Sequence, residues 1–167
     1  METTNVSRQS TTAPALNVAP ETSMAPILLA EDDDELRRII ARSLREDGHQ
    51  VVEASNGFDL LDRIEAAIAW GGRAHPPISL IVSDVRMPGM TGIDVLSILR
   101  CAYWSTPVIL MSAFADATMR LEASELGAAA VIAKPFEIQE LKTAVRNAVR
   151  RSAALGTRPP SRRSTTL

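Results

Sequence analysis

Apolar positions fall in short runs separated by longer stretches in which they recur every three or four residues. Ile27 to Ala30 is the first such run. Leu36, Ile39, Ile40 and Leu44 follow at helical spacing, and Gly48 stops that helix. Gln50 to Ala54 reads as a second strand. Leu61, Ile64 and Ile68 mark a second helix, ending at Gly71-Gly72. Ile78 to Val82 is strongly apolar, and Ile93, Leu96 and Leu99 predict a third helix, ended by Pro107. Val108 to Met111 is the fourth run. Met119, Ala123 and Leu126 line a fourth helix stopped by Gly127. Ala129 to Ile132 is a weaker fifth strand, and Ile138, Leu141, Val145 and Val149 make a last amphipathic helix.

Five strand–helix units follow from this pattern. Strands that are apolar without alternation suit a sheet buried on both faces. Their alternation with helices implies a parallel sheet covered on both sides, an α/β fold. Such sheets bind ligands beyond the carboxyl ends of their strands. The residues that follow each apolar run therefore carry the functional weight. Glu31, Asp32, Asp33 and Asp34 follow the first run, Asp84 the third, Ser112 the fourth and Lys134 the fifth.

Composition narrows the reading. Residues 1–24 are rich in Thr, Ser, Ala and Pro and lack a hydrophobic period, which predicts a disordered N-terminal extension. Residues 155–167 predict a flexible basic tail, leaving 25–154 as the ordered domain. Hydrophobic residues make up 46% of the chain and aromatics only 4%, so the core is aliphatic. A formal net charge of −2 gives no electrostatic case for nucleic acid. Cys101 is the only cysteine, which excludes an internal disulfide and suits a reducing compartment. No apolar run approaches the roughly 18 residues of a membrane span. The reading is a cytoplasmic protein that binds neither nucleic acid nor membrane, as a monomer or weak homodimer.

The strand-end residues would bring several carboxylates, a hydroxyl and an ammonium to one edge. Clustered carboxylates repel one another unless a cation intervenes. A hard ion such as magnesium (Mg2+) takes oxygen ligands from one or two carboxylates and from phosphate. Asp84 would then be placed to attack phosphorus as a carboxylate nucleophile. The ion, Lys134, Ser112 and main-chain amides would balance the phosphoryl charge. Asp33 or Asp34 serves instead as the helix cap.

ILLAEDDDELRRII, SDVRMPGMTG, VILMSA and AKPF together resemble, in order and spacing, the receiver domains of bacterial response regulators. The resemblance covers residues 25–154. It implies the flavodoxin-like, doubly wound sheet of order 2-1-3-4-5 with five helices. It also implies roles. Glu31 and Asp32 are the acidic pair, Asp32 binding the metal directly and Glu31 mostly through water. Asp84 is the phosphoacceptor, and the main-chain carbonyl of Arg86 completes the metal ligands. Ser112 is the switch hydroxyl, Ala113 leaves space for the phosphoryl group, and Lys134 is the phosphate-binding lysine before a cis Pro135. The donor would be a histidine kinase or a histidine phosphotransfer protein. Output would pass to a downstream protein target or onward in a relay. The chain would be a signalling module and not an enzyme.

Three features depart from the family pattern. The aromatic switch position falls on Val131, which leaves Phe114 to supply aromatic surface. The stretch from Trp70 to Pro77, around His75, predicts an enlarged surface loop. Nothing resembling a DNA-binding output domain follows the last helix, so the expectation is a stand-alone receiver. A pseudo-receiver without the chemistry is the alternative that Val131 favours and the intact acids oppose. A metal-dependent aspartyl phosphatase would want a second aspartate where Arg86 stands. An EF-hand fails because the acids are contiguous.

Overall fold

The computed structural model describes residues 25–71, 78–102 and 104–156. The N-terminal extension, the loop around His75 and the tail beyond Gly156 lie outside these residues. Five strands alternate with five helices: β1 Ile27–Ala30, α1 Asp34–Glu46, β2 Val51–Ala54, α2 Gly57–Gly71, β3 Leu80–Asp84, α3 Gly92–Cys101, β4 Val108–Ser112, α4 Ala117–Glu125, β5 Ala130–Ala133 and α5 Ile138–Gly156. The strands form one parallel sheet of order β2-β1-β3-β4-β5. This is the flavodoxin-like, doubly wound arrangement expected from the sequence.

Successive side chains of a strand point to opposite faces, so each apolar strand feeds two cores. Leu28, Ile81, Val108 and Leu110 pack with Leu60 and Ile64 of α2, Val95, Leu96 and Leu99 of α3, and Ala123 of α4. Ile27, Leu29, Leu80, Val82, Ile109 and Met111 pack with Ile40, Ala41 and Leu44 of α1 and with Leu141, Val145 and Ala148 of α5. Every residue of β1, β3 and β4 is buried, which explains why these strands show no polar alternation.

The helix starts follow their caps. Asp33, and not Asp34, is the N-cap of α1, accepting from the main-chain N–H groups of Glu35 and Leu36. Thr91 and Asp94 form a reciprocal capping box on α3, and Asp116 caps α4. Gly48 follows the C-cap of α1 at φ 87°, a left-handed conformation that costs glycine little.

Several boundaries differ from expectation. β3 begins two residues later than its apolar run and continues through Asp84, and β4 continues through Ser112. Asp84 and Ser112 are thus the last residues of their strands. The α3 helix ends at Cys101, well before Pro107, and Cys101 is exposed. The α5 helix runs on through Leu155 and Gly156, into the stretch expected to be tail. Among the described residues, no helix is long and apolar enough to cross a membrane.

Candidate functional site

The carboxyl ends of β1, β3 and β5 converge because these strands lie side by side with β4 completing the set. Glu31 follows β1, Asp84 ends β3 and Lys134 follows β5. Lys134 Nζ lies 2.7 Å from Glu31 Oε2 and 2.6 Å from Asp84 Oδ2, joining three strands through one ammonium. Glu31 is 1% exposed and Asp84 7%, so both carboxyls have lost most of their water.

Burial penalises the charge on Glu31. The hydrogen bond from Lys134 offsets part of that penalty, the nearby Asp84 adds to it, and the Glu31 pKa is raised from the usual carboxyl value. Burial also opposes the charge on Lys134. The bonds to Asp84 and Glu31 outweigh it, so its pKa is raised and the ammonium is secure. One cation thus serves two buried acids, leaving capacity for a second.

The donor set fits a hard divalent ion. Ligand oxygens of Glu31, Asp32 and Asp84 all lie within 4.8 Å of one another. An octahedral magnesium site with bonds of about 2.1 Å spaces neighbouring ligands about 3 Å apart and opposed ones about 4.2 Å apart. Asp32 is exposed at the rim, opposite in character to buried Glu31, which suits one open and one enclosed side.

Main-chain contacts fix Asp84. Asp84 Oδ1 accepts from the Arg86 N–H at 3.2 Å. The Asp84 carbonyl accepts from Ser83 Oγ at 2.9 Å. Gly92 packs so closely on that carbonyl that an added Cβ would fall 2.4 Å from it. Ser112 is 1% exposed, and its Oγ accepts from the Phe114 N–H at 3.1 Å. The Lys134 N–H donates to the Ser112 carbonyl at 2.7 Å, and the Lys134–Pro135 peptide is cis. Beside Lys134 lies a cavity of about 400 Å³ lined by Leu36, Ala113, Pro135 and Phe136.

The structure therefore gathers Glu31, Asp32, Asp84 and Lys134, with Ser112 ending the adjacent strand. Arg86 contributes its N–H to Asp84, while its guanidinium turns to the ring of Phe114, 3.9 Å from the centroid. Val131 lies half-buried on β5, paired with Leu110. Sequence reasoning missed Arg37, whose Nη1 donates to the Glu31 carbonyl at 2.7 Å and whose Nε lies 3.6 Å from Glu53 of β2. It also missed Gly92 and the Arg86 side chain. Arg37 was reachable, since it stands three residues after Asp34 on α1 and pairs with it. The contacts of Gly92 and Arg86 come from loops whose path no periodicity reveals.

Comparisons with known proteins agree with this geometry. Residues 27–146 match the response regulator receiver domain family. The chain is 36% identical over 126 residues to the uncharacterized transcriptional regulatory protein YkoG of Bacillus subtilis, covering 75% of this chain and 51% of that protein. It is 32% identical over 120 residues to sporulation initiation phosphotransferase F of the same species, covering 72% of this chain and 90% of that protein. The structure resembles the receiver domain of the Francisella response regulator 1452 with a TM-score of 0.67 and 30% identity, covering 77% of this chain and 98% of that one.

The fold and the acid–lysine cluster are those of a two-component receiver. The chain belongs to the response regulator receiver domain family. It spans about half the length of YkoG, and nearly all of the phosphotransferase.

Proposed function

We propose that the chain accepts a phosphoryl group on Asp84 from a histidine kinase or a histidine phosphotransfer protein. The observation that carries this reading is Lys134 bridging Glu31 and Asp84 at 2.7 and 2.6 Å across three strands. A lysine held against two buried carboxylates is already aimed at an anion joined to one of them. In the transfer, an Asp84 carboxylate oxygen attacks the phosphorus of a phosphohistidine. The oxygen–phosphorus bond forms as the phosphorus–nitrogen bond breaks, and the imidazole leaves with the electron pair.

Glu31, Asp32 and Asp84, with the Arg86 carbonyl, would hold Mg2+, which when bound neutralises charge on the phosphoryl oxygens. Lys134 holds a second phosphoryl oxygen by charge. Ser112 donates its hydroxyl, and the Arg86 N–H, now on Asp84, is aimed at the same place. The cavity beside Lys134 leaves room for the donor's side chains to approach. Signalling then proceeds by binding a protein target or by passing the phosphoryl group onward. That the relative covered nearly end to end is named a phosphotransferase supports the second route. The module acts as a signalling receiver in the cytoplasm and not as an enzyme.

The test is phosphorylation by a small phosphodonor with magnesium, followed by intact-mass spectrometry. One acid-labile, hydroxylamine-sensitive phosphate is expected on the chain and none on Asp84→Asn, which keeps shape but lacks the nucleophilic oxygen. Equal labelling of Asp84→Asn would end the assignment.

A further inference from the structure

Val131 stands on β5 where the family pattern leads one to expect an aromatic side chain that reports the state of the acceptor. It has no ring to turn and no hydroxyl to exchange. Arg120 of α4 reaches this part of β5. Its Nε donates to the Ala115 carbonyl at 3.0 Å, and its Nη1 donates to the Val131 carbonyl at 3.3 Å.

Ala115 belongs to the short loop after β4, and that loop is held at Phe114 in two ways. The Phe114 N–H donates to Ser112 Oγ at 3.1 Å. Its ring, 60% exposed, carries the Arg86 guanidinium 3.9 Å from its centroid. Arg86 in turn donates its N–H to Asp84 Oδ1. Contacts thus run without a break from Asp84 through Arg86 to Phe114, where Ser112 also holds the loop, and on to Ala115, Arg120 and Val131.

Both holds on Phe114 are of the kind that a phosphoryl group on Asp84 would loosen. The Ser112 hydroxyl, turning to donate to a phosphoryl oxygen, gives up its position beneath the Phe114 N–H. The Arg86 guanidinium, two residues from a new dianion, gains a charged partner stronger than the face of a ring. Ala115 then moves with Phe114, and its bond to Arg120 moves or breaks. The α4 helix offers little resistance, since Ala123 is its one buried residue and Leu121 is 61% exposed.

We propose that Arg120 takes the part of the missing aromatic, carrying the state of the acceptor loop to β5 by bridging the Ala115 and Val131 carbonyls. This rests on the receiver reading. Its physical content is a coupling between two segments, which mutation of the bridge should cut.

The test is amide exchange on the full chain with and without magnesium beryllofluoride, a mimic of the phosphoryl group. The unaltered protein should change protection in 112–116 and in 128–133. Arg120→Met keeps length and apolar bulk but cannot donate. It should bind the mimic within about twofold of the parent, keep the change at 112–116, and lose about half or more of the change at 128–133. Should Arg120→Met unfold, Arg120→Lys serves. It keeps the charge without the planar fork and should show the same partial loss. A full response at 128–133 in the substituted protein overturns the proposal. A parent that binds no mimic overturns the receiver reading, and the proposal with it. A parent that binds the mimic and changes at 112–116 alone overturns only the role of Arg120.

Discussion

Lys134 and Arg120 are both cations near the carboxyl ends of the sheet, yet their surroundings differ. Lys134 has a side chain 17% exposed, set between two buried carboxylates on fully buried strands. Arg120 is exposed, and grips two main-chain carbonyls from a helix with a single buried residue. The pocket is a rigid receptacle in which charge is stored before any ligand arrives. The α4 corner is held by hydrogen bonds that water can replace at small net cost. A switch needs both kinds of region, one that does not move when charged and one that does.

The largest effect that separates them lies in the core. Leu110 on β4 is 0% exposed, and Leu121 on α4 is 61% exposed. Leu110→Ala should cost about 3–4 kcal/mol, the sum of lost transfer energy and a cavity. Leu121→Ala should stay within about 0.5 kcal/mol. Urea unfolding of both variants checks this. Similar losses would mean that α4 is packed more firmly than its burial shows.

Next is the stored charge. Lys134→Met leaves Glu31 and Asp84 buried without their shared cation and should destabilise the protein by about 3 kcal/mol at neutral pH. Glu31→Gln in the same background should recover part of that loss, since burial penalises ionised Glu31. If the double variant is as unstable as the single one, repulsion between the two acids is not what Lys134 relieves.

The contrast also marks what the sequence could tell. All ten elements were legible, because burial on both faces leaves strands uninterrupted and the helices amphipathic. The carboxyl ends of β3 and β4 were placed too early. Hydrophobicity reports side chains, whereas the main chain stays extended through polar Asp84 and Ser112. Glu31, Asp32, Asp84, Ser112 and Lys134 stood out in the sequence because each lies where an apolar run gives way, and the structure gathers all but Ser112 into one cluster. Arg120 and Arg86 lie off that pattern. Their partners are carbonyls and a ring brought close by loop geometry, and nothing in local spacing encodes those contacts.

A smaller effect concerns the start of α4. Asp116 accepts from the Met119 N–H at 2.8 Å and is the one side-chain cap there. Asp116→Ala should cost about 1 kcal/mol. Because α4 has so little core, the loss should appear as faster amide exchange in 117–125 with the sheet unchanged. Faster exchange throughout the sheet would show that the corner and the core unfold as one unit.

The smallest expected effect sits on the pocket's side, at the start of α3, the helix that follows the loop after Asp84. There Thr91 Oγ1 and the Thr91 N–H both donate to Asp94 Oδ2, at 2.6 and 3.0 Å. Those bonds, the side-chain one first, hold the Asp94 pKa below its usual 3.8. A carboxyl whose pKa is lower folded than unfolded adds stability above the unfolded value and loses it as pH falls through the folded one. Asp94 is largely exposed, so solvent screening limits the term to about a few tenths of a kcal/mol. Asp94→Asn keeps an acceptor but does not titrate. The parent should therefore lead the variant slightly at about pH 6, and the lead should shrink as pH falls below the usual 3.8 in urea unfolding. A lead that stays constant across that range would show that Asp94 holds α3 by shape alone, and that stored charge is confined to the pocket.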